Sequence, residues 1–134
     1  MSNASRGELP LRNDHDIVLA RQAVRRMTQQ LKFSLVDQTK MVTATSELAR
    51  NTVIYGGGGT LTWEMLDAGA REGLRLSFLD HGPGIANLDL ALTDGWSSGD
   101  GLGMGLTGAR RLVNEFEIDS RIGVGTRVTV TRWK

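Results

Sequence analysis

The 134-residue chain contains no cysteine, which excludes disulfide staples and thiolate metal sites and leads us to expect a cytoplasmic address. It also lacks any apolar run approaching the ~18 residues that a membrane-spanning helix needs. Neither sign of charge is in excess: 16 basic residues face 15 acidic ones, a net charge of +1. No overall field therefore draws the chain to nucleic acid or an anionic membrane, and binding must be local. No Gly-Lys pair occurs, so a Walker A phosphate loop is excluded. Internal repeats and proline-rich or charged linkers are absent as well. With 40% hydrophobic residues, the length suits one domain spanning 8–134. The small, polar segment 1–7 is set aside as a flexible terminus or expression remnant.

Apolar periodicity supplies the elements. From Asp14, an N-cap residue type, Ile17, Ala20, Val24, Met27 and Leu31 recur at the spacing of one buried helical stripe. Arg21, Arg25, Arg26 and Lys32 lie off that stripe, as a solvated face does. A second helix runs from about Leu35 to Tyr55 with Met41, Ala44, Leu48, Thr52 and Tyr55 on one side, and stops at Gly56-Gly57-Gly58-Gly59. Thr60 to Leu66 and Leu74 to Leu79 alternate as half-buried strands, with a hairpin loop from Asp67 to Gly73 between them. Thr107 to Asn114 reads as a short helix. Phe116 to Ile122 and Thr126 to Trp133 read as antiparallel neighbours around Gly123-Val124-Gly125. The expected fold is α+β: a two-layer sandwich with a mixed, mainly antiparallel sheet covered on one face by helices.

Gly103-Met104-Gly105-Leu106-Thr107-Gly108 spells the dinucleotide fingerprint G-x-G-x-x-G. A Rossmann turn needs a strand before the first glycine and a further strand with an acidic residue after the helix. Here a polar loop precedes the string and too little chain follows it. Gly95, Gly99, Gly101, Gly103, Gly105 and Gly108 still require a reason, because each adds backbone entropy that folding must overcome, roughly 0.5–1 kcal/mol in regular structure. The run feeds a helix start, where backbone N–H groups and the positive helix end suit an anion, most simply phosphate. A surface loop without a ligand is the alternative.

Two further clusters carry chemistry. Asp80-His81-Gly82-Pro83-Gly84 ends the Leu74 to Leu79 strand with one carboxylate between residues that permit close backbone approach. Glu47 and Asn51, four apart on the second helix, project an acid and an amide oxygen from one face, an arrangement suited to Mg²⁺.

Taken in order, the segment Glu47 to Asn51, the box Asp80 to Gly84, the box Gly101-Leu102-Gly103-Met104-Gly105 and the pair Gly125-Thr126 resemble the four signature boxes of the GHKL ATP-binding superfamily. Within it, the segments "DHDIVLARQAVRR", "SELARN", "DHGPGI" and "GLGMGLTGARRLVNEF" are similar to the stand-alone serine/threonine kinases of the anti-sigma factor group, most of all the RsbT-type stressosome switch kinases. The resemblance implies a Bergerat-type fold, with ATP and Mg²⁺ as cofactors and a STAS-domain protein as substrate in a sigma-factor switch. It also implies a downstream PP2C-type phosphatase. Neither nucleic acid nor membrane is an implied partner, and a homodimer is permitted rather than required. An anti-sigma factor kinase that also grips a sigma factor, and a non-catalytic ATP-binding switch, are the alternative readings.

Residue by residue, the resemblance implies Glu47 as the base that takes the proton from the substrate hydroxyl and Asn51 as the Mg²⁺ ligand. Asp80 would accept from the adenine amino group, supported by Thr126, with Gly82 and Gly84 making room for the ring. Gly101, Gly103, Met104, Gly105, Leu106 and Thr107 would wrap the phosphates. Arg110 and Arg111 follow, with a role toward the phosphates, at the surface or against the partner, and Trp96 is a core residue or else a lid hinge or a partner contact. The four-glycine run after Tyr55 is longer than the group's pattern.

Overall fold

The computed structural model describes residues 5–92 and 102–134, with the side chains of 89, 90 and 102–104 excepted. The elements are β1 (Arg6–Leu11), α1 (Asp14–Gln30), α2 (Leu35–Ile54), β2 (Gly59–Asp67), β3 (Glu72–Asp80), α3 (Leu88–Ala91), α4 (Leu102–Arg111), β4 (Glu115–Arg121) and β5 (Gly125–Trp133). The strands form one sheet in the order β1-β2-β3-β5-β4. Each pairing is antiparallel, so the described sheet has none of the parallel contacts that a mixed one contains.

Register aligns the apolar phases. Leu61 lies opposite Phe78 and Trp63 opposite Leu76, while Leu76 and Phe78 face Val130 and Val128 across β5. Since side chains alternate across a strand, these residues share one face. Onto that face α1 lays Ala20, Val24 and Met27, and α2 lays Met41, Ala44, Leu48 and Ala49, all buried. The opposite face carries Thr62, Ser77, Thr129 and Glu117, so the molecule has two layers and a single core.

Both long helices begin on caps. Asn13, rather than Asp14, is the N-cap of α1: its Oδ1 accepts from the Asp16 N–H at 3.0 Å, and Asp14 becomes the first helical residue. Ser34 Oγ accepts from the Asp37 N–H at 3.1 Å to start α2. Within α2 the buried hydroxyls of Thr45 and Thr52 return hydrogen bonds to the carbonyls of Met41 and Leu48, at 2.8 and 3.0 Å, so neither is left unsatisfied. The helix ends where Gly57 and Gly58 adopt φ of 74° and 105°, values that L side chains rarely take.

Two differences from the sequence expectation bear on function. Strand β1 starts at Arg6, inside the segment set aside, and pairs Gly7 with Trp63 and Leu9 with Leu61. Helix α4 starts at Leu102, well before Thr107, so Gly103, Gly105 and Gly108 are helical rather than part of a loop. Helical glycine costs up to about 1 kcal/mol relative to alanine. At Gly105 close packing accounts for it: a Cβ there would lie 3.2 Å from Asn51 Nδ2 and 3.3 Å from Glu47 Oε2, so α4 can approach α2 because the side chain is missing.

Candidate nucleotide site

A cavity of about 220 Å³ opens between the C-terminal half of α2, the ends of β3 and β5, and α4. Its walls are largely apolar, with Leu48, Phe78, Ile85 and Val128 among them, and its polar lining includes Asn51, Asp80 and Thr126. Such a slot, apolar with a few placed polar groups, is what a flat heterocyclic ligand requires.

Asp80 is the last residue of β3, opposite Gly59 on one side and Thr126 on the other. It is 9% exposed, and its Oδ1 accepts from the backbone N–H of Gly82 at 2.9 Å and of Thr126 at 3.3 Å. Among the described residues Oδ2 makes no hydrogen bond, which leaves one carboxylate oxygen as an acceptor for an amino group entering the cavity. Thr126 is held in turn, its Oγ1 lying 2.8 Å from Ser120 Oγ. Ser120 Oγ also accepts from the Ile85 N–H at 2.8 Å. The loop after Asp80 is fastened to the β4–β5 hairpin at a second point, where the Gly123 N–H donates to the Pro83 carbonyl at 2.9 Å. Gly84 completes the fit with φ of 79°, and a Cβ there would overlap the Arg121 carbonyl.

Asn51 projects from α2 into the same cavity. Its Nδ2 is buried and has no hydrogen-bond partner among the described residues. Leaving such a donor unpaired costs about 1–3 kcal/mol. Its Oδ1 and Glu47 Oε2 each lie 3.3 Å from the point where a Gly105 Cβ would stand. Both side chains therefore face α4, and an amide oxygen and a carboxylate oxygen one helical turn apart are donor types that suit a hard cation such as Mg²⁺. No group of three or more acidic or imidazole side chains forms a metal cage among the described residues. A cation here would keep waters and draw remaining ligands from phosphate, as Mg²⁺ commonly does.

The cavity therefore unites Asn51, Asp80, Gly84, Leu106 and Thr126 of the expected residues. Gly82 lies just outside it, donating to Asp80, and Thr107 is buried in α4. Glu47, one turn before Asn51, lines a separate groove between α1 and α2. Gly101 and Trp96 lie outside the described residues, as does the Met104 side chain, although its backbone is in α4. Arg110 and Arg111 are exposed in the last turn of that helix. Sequence reasoning missed Ser120. Its signal was there: Phe116, Ile118 and Ser120 share one face of β4, and a hydroxyl in an apolar phase asks for a partner.

Residues 36–134 match the family model of histidine kinase-, DNA gyrase B- and HSP90-like ATPases. The chain is 42% identical over 118 residues to the serine/threonine-protein kinase RsbT of Bacillus subtilis, covering 88% of this chain and 89% of that protein. The crystal structure of the RsbU and RsbW domains of Rv1364c from Mycobacterium tuberculosis superimposes with a TM-score of 0.66 at 20% identity. That alignment covers 99% of this chain and 34% of the longer one, and it supports the fold alone.

Proposed function

The chain belongs to the histidine kinase-, DNA gyrase B- and HSP90-like ATPase family, and on that premise we propose that it is an ATP-dependent protein serine/threonine kinase acting on a STAS-domain partner in a cytoplasmic sigma-factor stress switch. The observation that carries this reading is one largely apolar cavity lined both by Asp80, whose Oδ2 makes no hydrogen bond among the described residues, and by Asn51. An adenine nucleotide answers both, with an amino donor for the first and phosphate oxygens for the second. The similarity to RsbT supports the kinase chemistry.

In this reading Asp80 Oδ2 accepts from the adenine amino group, while Thr126 and Gly82 hold the other carboxylate oxygen. Asn51 Nδ2 donates to a phosphate oxygen. Its Oδ1 would hold Mg²⁺, which when bound neutralises phosphate charge as it redistributes during transfer. Glu47 takes the proton from a serine or threonine hydroxyl as that oxygen bonds to the γ-phosphorus and the bond to ADP breaks. Because Glu47 also lines the groove between α1 and α2, a protein hydroxyl has a route to it that does not cross the base pocket. Such transfer depends mainly on positioning and electrostatics, which a domain of this size can supply once the partner brings the nucleophile.

The test is transfer of label from γ-labelled ATP, with Mg²⁺, to candidate STAS-domain proteins. The parent is expected to label its partner, whereas Glu47→Ala and Asp80→Asn are not, and Glu47→Ala should still bind nucleotide. A parent that binds ATP yet labels no partner overturns the kinase reading in favour of a non-catalytic switch.

A further inference from the structure

The four-glycine run after Tyr55 has a second role beyond ending a helix. A Cβ on Gly56 would overlap the Asp80 carboxyl carbon and Cβ and come within 2.5 Å of Oδ2. On its other side Gly56 touches Gly82, whose own Cβ would lie 2.8 Å from the Gly56 Cα and 2.9 Å from its carbonyl oxygen. The Gly56 N–H donates to the Asn51 carbonyl at 3.1 Å. One residue thus connects the backbone of Asn51, the carboxylate of Asp80 and the turn after it.

Resting on the nucleotide reading above, we propose that Gly56 is a positioning residue for base selection, setting where Asp80 Oδ2 stands. The two backbone donors on Asp80 both reach Oδ1. They hold Oδ1, and because the carboxyl group is planar and its Cα is fixed in β3, Oδ2 is set with it. Gly56 packs against Cβ, Cγ and Oδ2 of the same side chain, so that placement exists only while position 56 carries no side chain, since close-packed groups cannot interpenetrate. A methyl group at position 56 must push the carboxylate away, turning Oδ2 from the amino group of adenine. Affinity for ATP then falls, while GTP, which carries a carbonyl acceptor at the equivalent ring position, gains nothing comparable from Asp80 in either protein. The preference of ATP over GTP is the quantity that Gly56 governs.

Calorimetric titration of ATP and GTP, with Mg²⁺, into the parent, Gly56→Ala and Gly57→Ala tests this. Gly57 belongs to the same linker, and a Cβ there meets nothing within 4 Å, although its φ of 74° makes alanine strained. Gly56→Ala is expected to lose at least tenfold in ATP affinity and to collapse the ATP-to-GTP ratio toward one. Gly57→Ala should melt at a lower temperature yet keep the parent ratio, a result that general loosening of the linker cannot imitate at position 56. Should Gly56→Ala fail to fold, Gly82→Ala decides, because it retains the N–H that Asp80 accepts and presses on Gly56 from behind; the same collapse is expected. Retention of the parent ratio in whichever variant folds overturns the role of Gly56 alone. A parent with no preference for ATP overturns the nucleotide reading and this inference with it.

Discussion

In the proposed mechanism Asp80 serves nucleotide binding and Glu47 serves the chemical step, and single substitutions separate the two. A hydrogen bond to a charged acceptor is worth about 1.5–3 kcal/mol, so Asp80→Asn should weaken ATP binding roughly ten- to hundredfold in a calorimetric titration. General-base help is worth ~10²–10⁴-fold in rate, so Glu47→Ala should cut phosphotransfer by that order in single-turnover kinetics while nucleotide affinity stays near the parent value. Asp16 offers a pH-dependent case away from the site. It is 3% exposed and accepts from Arg12 Nε at 2.8 Å and from the Arg12 N–H at 2.9 Å, and these bonds hold its pKa below the ordinary aspartate range. With the folded value depressed, the contribution is complete above the unfolded pKa and is lost as pH falls through the folded one. Urea midpoints of the parent should drop in that acid window, and those of Asp16→Asn should drop less.

At the scale of elements, what the sequence disclosed depended on how local the signal was. Both long helices were legible because their apolar stripes recur every three or four residues, and the misplaced N-cap of α1, Asn13 for Asp14, is a one-residue slip between two good capping types. Strand β1 was hidden because Gly7 and Pro10 oppose strand propensity. An edge strand tolerates proline, whose missing donor need not serve a second neighbour, and β1 pairs with β2 alone. The glycine boxes were legible as a family signature but not as structure. Gly105 is helical only because α2 offers a surface to approach, and Gly56 matters only because β3 brings Asp80 beside it, both long-range facts. The elements are also tied by Arg132, which no motif singled out. From β5 it donates to Asp37 Oδ1 on α2 at 2.7 Å and to the Leu112 carbonyl just after α4 at 3.1 Å. Arg132→Ala should cost about 1–3 kcal/mol in denaturant unfolding, and Arg132→Lys should not restore it, because one ammonium cannot span both acceptors as the planar fork does.

On the scale of the whole molecule, a single sheet-and-helix core holds three segments of the chain around one cavity. Leu76 is fully buried in the centre of the sheet. Leu76→Ala should cost ~2–5 kcal/mol by thermal or urea unfolding, with nucleotide binding retained in whatever fraction stays folded. The same architecture makes the central claim testable, since Asn51 arrives from a helix early in the chain and Asp80 from a strand, yet both line one cavity. The most direct measurement is calorimetric titration of ATP, with and without Mg²⁺, into the parent, Asn51→Ala and Asp80→Asn. One nucleotide per chain is expected, bound more weakly by both variants, with the Mg²⁺ dependence kept in Asp80→Asn and lost in Asn51→Ala. No heat from the parent, or two variants that bind ATP as the parent does, would contradict the account.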